Sequence, residues 1–100
     1  FERIWSSLVF PMHQVFYTEY ARRDLLKLER KIAQRVVKKI AFYSEQEDPL
    51  SFAKQLTDSR LGMYRFRIGD YRALFDVDAK GRVFILMILR IKHRKDVYGI

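Results

Sequence analysis

Arg65 and Arg67 stand two positions apart in the run Met63-Tyr64-Arg65-Phe66-Arg67-Ile68, and Arg72 follows on the far side of Gly69-Asp70. Residues at i and i+2 of a strand share a face, so Arg65 and Arg67 project together, and a chain that reverses at Gly69 places Arg72 across from them. Three guanidiniums on one surface make a phosphate clamp, because each offers planar donors that match phosphate oxygens. For any one of them taken alone, a solvated strand face is the plainer account. Further on, Lys92-His93-Arg94-Lys95-Asp96-Val97-Tyr98 adds cationic, acid–base and phenolic groups. Phosphodiester cleavage without metal needs a base for the ribose 2′-hydroxyl, cations for the charge developing at phosphorus, and an acid for the leaving 5′-oxygen. These two segments hold residue types for all three tasks, which suits an anionic substrate and RNA above all. Histidine is the side-chain type that titrates near neutrality, so His93 is the expected general base. Tyr98 has three roles open to it: donating a proton, stacking on a base, or packing at the edge of a sheet.

For those groups to meet, the chain must form a hairpin and bring a third strand back beside it. Met63 to Ile68 alternates, with Tyr64, Phe66 and Ile68 on the face opposite the arginines. Gly69-Asp70 reads as a tight reversal, and Tyr71 to Val77 pairs back antiparallel. Asp78-Ala79-Lys80-Gly81 then turns into Arg82 to Arg90, whose centre, Val83 to Leu89, is apolar on both faces and predicts a central strand. Upstream, His13 to Tyr17 reads as a first strand and Thr18 as a helix N-cap. Leu25, Leu28, Ile32, Val36 and Ile40 recur at three- and four-residue steps, giving a core stripe flanked by Arg22, Arg23, Lys27, Arg30, Lys31, Arg35, Lys38 and Lys39. Neither Gly nor Pro shows whether this is one long helix or a hairpin broken near Leu28 to Lys31. Asp48 precedes Pro49, whose ring disfavours helical geometry there, so the helix ends before it. Ser51 to Leu56 is expected to be a linker or a turn of helix, with Phe52 and Leu56 available to the core.

Composition narrows the classes. A chain of 100 residues with 49% hydrophobic and 15% aromatic content is a single folding domain rather than a disordered segment. Its formal net charge of +8 and pI near 10 attract polyanions. Without cysteine there are no disulfides and no thiolate sites, and His13 and His93 are too far apart in sequence to suggest metal ligands, so no metal or other cofactor is expected. Apolar runs fall short of the roughly 20 residues of a membrane span; the chain reads as soluble and cytoplasmic, without membrane or small-molecule partners. Residues 1–11, FERIWSSLVFP, lack the plan of a signal peptide. They read as an N-terminal extension, either a cloning remnant, a piece of a longer chain or a genuine addition, before a domain over 12–100. No P-loop, GxGxxG or nucleophile elbow is found.

Three stretches, VFYTEYARRDLLKL, LGMYRFRIGDYRALFDVD and ILRIKHRKDVY, stand in an order and spacing that resemble the RelE/ParE superfamily of bacterial and archaeal toxins, over Val15 to Tyr98. The resemblance implies an α+β fold, a small antiparallel sheet with an N-terminal strand and a helical hairpin packed on it in the order β-α-α-β-β-β. It implies an mRNA interferase, an endoribonuclease acting on ribosome-bound message by 2′-hydroxyl attack, with a cognate antitoxin protein as partner. By position, the family's basic residues fall on Arg65, Arg67 and Arg72 and its terminal tyrosine on Tyr98, with Lys92 or Arg94 as the basic residue before it; Arg94, Lys92 and Lys95 would bind RNA. Arginine stands at the first two positions, where lysine can occur in the family. Because arginine stays protonated, a base there is doubtful and His93 takes that role. Two other readings remain: a ParE-like inhibitor of DNA gyrase acting by protein contact, and a nucleic-acid-binding module that cuts nothing.

Overall fold

Thr18 is where the chain stops being strand and becomes helix. In the computed structural model, which describes residues 13–81 and 83–97, strand β1 (Gln14–Tyr17) leads into helix α1 (Glu19–Leu26). The Thr18 hydroxyl accepts a hydrogen bond from the Ala21 N–H at 3.1 Å, satisfying an orphan donor of the first turn. It also donates to the Leu89 carbonyl at 2.8 Å, so one side chain caps the helix and ties it to the sheet. Helix α2 (Arg30–Ser44) begins after a break at Lys27 to Glu29, which makes the helical region a hairpin. Leu28 at the break packs with Leu25 and Ile32 against the core in which Val36 and Ile40 are buried; the apolar stripe is a core stripe, as its spacing predicts.

Beyond a 3-10 turn at Pro49–Phe52 come β2 (Ala53–Gln55), β3 (Tyr64–Ile68), β4 (Tyr71–Lys80) and β5 (Val83–His93). They join β1 in one sheet of order β1-β5-β4-β3-β2. The α+β class, the leading strand and the helical hairpin match the expectation, and the sheet differs from it in three details. Residues 53–55, expected within a linker or turn of helix, form an edge strand antiparallel to β3; three residues are too few to show an alternation. The sheet is mixed, because β1 runs parallel to β5 while the other pairs are antiparallel. Strand β4 continues through Asp78 to Lys80, which the sequence assigned to a turn, and Lys80 pairs with Val83 across the second reversal, with Gly81 at φ +63°. The first reversal is alike: Gly69 has φ +60°, the positive value that the leading position of a two-residue type II′ turn requires.

The helices cover one face of the sheet. There Phe66 and Phe75, both fully buried, stack at 4.3 Å between ring centroids, joined by Ile40, Leu86 and Ile88. Strand alternation sends Arg65, Arg67 and Arg72 to the other face, where a small buried cluster of Leu56, Leu74 and Val97 has Leu61 beside it. The extension expected over residues 1–11, and Tyr98, lie outside the described residues.

Candidate functional site

Pairing across the strands sets the site. Arg67 is directly opposite Arg72 in the β3–β4 ladder, and Lys54 is directly opposite Arg65 in β2–β3. Like charges in opposed positions destabilise a sheet, so these two pairs on one face work against its stability and concentrate positive charge there. Arg72 is only 7% exposed. Its Nη1 donates to the carbonyls of Gly69 and Tyr71, each at 2.9 Å, which locks the guanidinium beneath the turn. Burial, and after it the charges of Arg67, Arg65 and Arg94, lower the pKa of Arg72 from its usual value, against a smaller opposing pull from Asp70. An anion in contact with it would relieve that repulsion.

The end of β5 completes the arrangement. A 3-10 turn, Arg94–Val97, folds back so that Val97 buries against Leu74 and Leu56, and the Arg94 N–H donates to the Asp70 carbonyl at 2.7 Å. Those two anchors bring Arg94 and Lys95 beside Arg65 and Arg72, and with Val97 the four cations line a cleft of about 380 Å³. A second hollow of about 200 Å³ adjoins it, lined by Ser51, Phe52, Ala53, Lys54, Arg65 and Arg67. Arg65 borders both. The Asp70 carboxylate lies 3.7 Å from Arg94 Nε, an exposed and therefore weak pair. A larger hollow of about 540 Å³ runs along α2 between Lys31, Arg35, Lys38, Lys39 and Phe42. Its cations are all exposed on one helix, whereas the arginine cleft gathers charges from β3, β4 and the last turn around a buried guanidinium.

His93, expected as the base, is not among the residues that line this cleft. It pairs with Tyr71, on the face that carries Ile68 and the main core, and its ring meets Tyr71 edge-on at 5.2 Å. Its Nδ1 accepts the Lys95 N–H at 3.2 Å, a bond that shapes the last turn. The reversal of faces comes from a bulge. Leu74 pairs with Arg90 but Phe75 pairs with Ile88, so Leu89 is an extra residue in β5 and every later side chain changes side. Lys92 thereby stands directly opposite Arg72, in one row with Arg67. Asp24 of α1 secures the bulge, accepting from Arg90 Nε at 2.8 Å, Arg90 Nη2 at 3.1 Å and the Ile91 N–H at 2.9 Å. Desolvation raises the Asp24 pKa, but the Arg90 and Ile91 hydrogen bonds and the charges of Arg90 and Lys92 outweigh it and hold the carboxyl below its ordinary value.

Arg65, Arg67, Arg72, Lys92, Arg94 and Lys95 therefore share one neighbourhood, His93 faces away from it, and Tyr98 lies outside the described residues. Sequence reasoning missed Lys54, because the strand that presents it was not foreseen, and missed Asp24, whose partner is 66 positions away. Among the described residues no cluster of His, Asp or Glu is fit to hold a metal ion, and no helix is long and apolar enough to cross a membrane. The cleft can bind a phosphodiester and stabilise added negative charge on it.

Comparison with known proteins gives three findings. A family model described as the ParE toxin of the type II toxin–antitoxin system parDE matches residues 15–98. Toxin RelG of Mycobacterium tuberculosis is 37% identical over 86 residues, which is 86% of this chain and 95% of that protein. Among solved structures, the toxin–antitoxin complex RelBE2 of Mycobacterium tuberculosis contains a chain that superposes with a TM-score of 0.65 at 33% identity, over 84% of this chain and all of that one. The archaeal RelE–RelB complex of Pyrococcus horikoshii gives a TM-score of 0.59 at 24% identity over 84% of this chain and 97% of its own, a likeness of fold.

Proposed function

Since the chain belongs to the ParE toxin family of type II toxin–antitoxin systems, within the RelE/ParE superfamily, we propose that this toxin is an mRNA endoribonuclease that cuts ribosome-bound message without a metal ion. The observation that carries the reading is the cleft in which Arg65, Arg72, Arg94 and Lys95 converge, with Arg72 buried and already oriented by two carbonyls. Cations fixed before the reaction stabilise charge that develops in the transition state at little reorganisation cost. In the proposed step the 2′-oxygen attacks the adjacent phosphorus and the P–O5′ bond breaks, leaving a 2′,3′-cyclic phosphate and a 5′-hydroxyl. Arg72 and Arg65 face the phosphorane; Arg67, Lys92 and Arg94 hold neighbouring phosphates.

The 2′-hydroxyl proton needs an acceptor. Neither the arginines nor a lysine ammonium supplies one and His93 is turned away, so in this reading the solvent filling the open cleft takes the proton while Lys95 contributes charge to the phosphorane. Tyr98 enters as the donor to the 5′-oxygen through the family resemblance. The cellular partner in this reading is a cognate antitoxin protein, by analogy with the complexes formed by the structural relatives. A second reading, inhibition of DNA gyrase by protein contact, draws on the matching family model.

The test is to incubate the purified toxin with programmed ribosomes, with naked mRNA and with gyrase plus supercoilable plasmid in parallel. Cuts on ribosome-bound message bearing cyclic phosphate, lost in Arg72→Ala, are expected. Intact RNA together with blocked supercoiling would replace the nuclease reading by the second.

A further inference from the structure

Phe52 is 43% exposed, although it is the outer end of an aromatic column that begins in the core. Its ring stacks on Tyr43 at 5.0 Å and 25°; Tyr43 packs on Phe66 at 4.6 Å, and Phe66 stacks on Phe75 at 4.3 Å. Three of these four rings are buried and fix the attitude of the fourth. Beside Phe52, in the same hollow, stand Lys54, Arg65 and Arg67. Phe42, 47% exposed, meets Phe52 edge-on at 6.3 Å. A rigid aromatic with an open side next to a short row of cations is the pairing by which single-stranded nucleic acid is held, bases on π-faces and phosphates on the charges.

We propose that this hollow is a flanking-nucleotide subsite, in which an unpaired RNA base extends the Phe75–Phe66–Tyr43–Phe52 column while Lys54 and Arg67 take the adjoining phosphates. The proposal rests on RNA being the ligand of the arginine cleft, since Arg65 lines both hollows and joins them into one track. Arg65 and Arg67, two residues apart on β3, are spaced comparably to successive phosphates of an extended strand. Stacking on an aromatic tolerates any base, so the subsite lengthens the footprint without choosing a sequence. An acidic protein segment would use the cations but has no need of an orientated ring.

A short single-stranded oligonucleotide, made uncleavable by 2′-O-methyl groups and carrying 2-aminopurine at successive positions, tests this with the intact chain. Wild type should quench the 2-aminopurine at one flanking position. Phe52→Leu, which keeps an apolar contact on Tyr43, should abolish that quenching and weaken binding about tenfold; Phe52→Trp should restore both. Lys54→Ala should weaken binding and flatten its salt dependence, with thermal melting reporting that each variant is folded. Binding that falls in Arg72→Ala but is untouched in Phe52→Leu and Lys54→Ala would overturn the subsite and leave the nuclease reading standing. No oligonucleotide binding by wild type would overturn the subsite while the ribosome assay decides the nuclease reading on its own, and loss of antitoxin capture but not RNA affinity in Phe52→Leu would overturn it by assigning the ring to a protein contact.

Discussion

The two faces of the β3–β4 hairpin are built from alternate residues of the same short run, yet they obey opposite rules. On the helix-covered face, Tyr64, Phe66, Ile68, Ala73 and Phe75 bury apolar surface in one continuous core, where each atom removed from water stabilises the fold. On the other face, Arg65, Arg67 and Arg72 oppose one another or Lys54 in register, and among the described residues the buried apolar support is the small cluster of Leu56, Leu74 and Val97. The second face accumulates repulsion that a folding optimum would remove, and places it around a cleft. Stability and the proposed chemistry are separated by one residue of strand phase, so changes on the two faces should separate in the same way.

The largest effect on the core face is expected from Phe75→Ala. Its ring is fully buried and stacked on both Phe66 and Tyr64, and truncation should cost about 3–5 kcal/mol, read as a lower urea midpoint with unchanged slope. Arg72→Ala is the counterpart on the other face. Cleavage should fall about 100-fold while stability moves by no more than about 1 kcal/mol; a larger loss of stability would break the comparison by showing that the bonds to Gly69 and Tyr71 hold the hairpin together.

Asp24→Asn addresses the bulge that divides the two faces in β5, and should cost about 2 kcal/mol through its charged hydrogen bonds. Because the native carboxyl titrates below its ordinary value of 3.8, it contributes stability above that value, lost as pH falls through the depressed native pKa. Melting against pH should therefore decline more steeply for wild type than for Asp24→Asn below about pH 4. Gly62→Ala should have the smallest effect, about 1 kcal/mol: φ is +128°, and an added Cβ would lie 3.0 Å from Leu89 Cδ1 and 3.3 Å from the Phe75 carbonyl. A neutral result would show that Leu89 yields freely beside the bulge.

Much of the scaffold is legible in local signals. Thr18 caps its helix because its side chain competes for nearby N–H groups, the hairpin turns at Gly69 because a positive φ is needed there, and alternation alone puts Arg65 and Arg67 together. The site was legible only in part. Lys54 sits on a strand of three residues, too short to declare itself. Lys92 and His93 exchange faces because of Leu89, an extra residue inside an apolar run that carries no mark of a bulge.

By itself, then, the sequence determined the α+β class, the apolar stripe of the core and the basic character of the hairpin, all of which follow from spacing and side-chain type over a few residues. The tertiary structure alone decided that β1 lies parallel to β5, that Asp24 grips Arg90 across 66 positions of chain, and that Lys92 rather than His93 joins the arginines. Those outcomes depend on register between distant segments, and a single inserted residue inverts which side chains face the cleft.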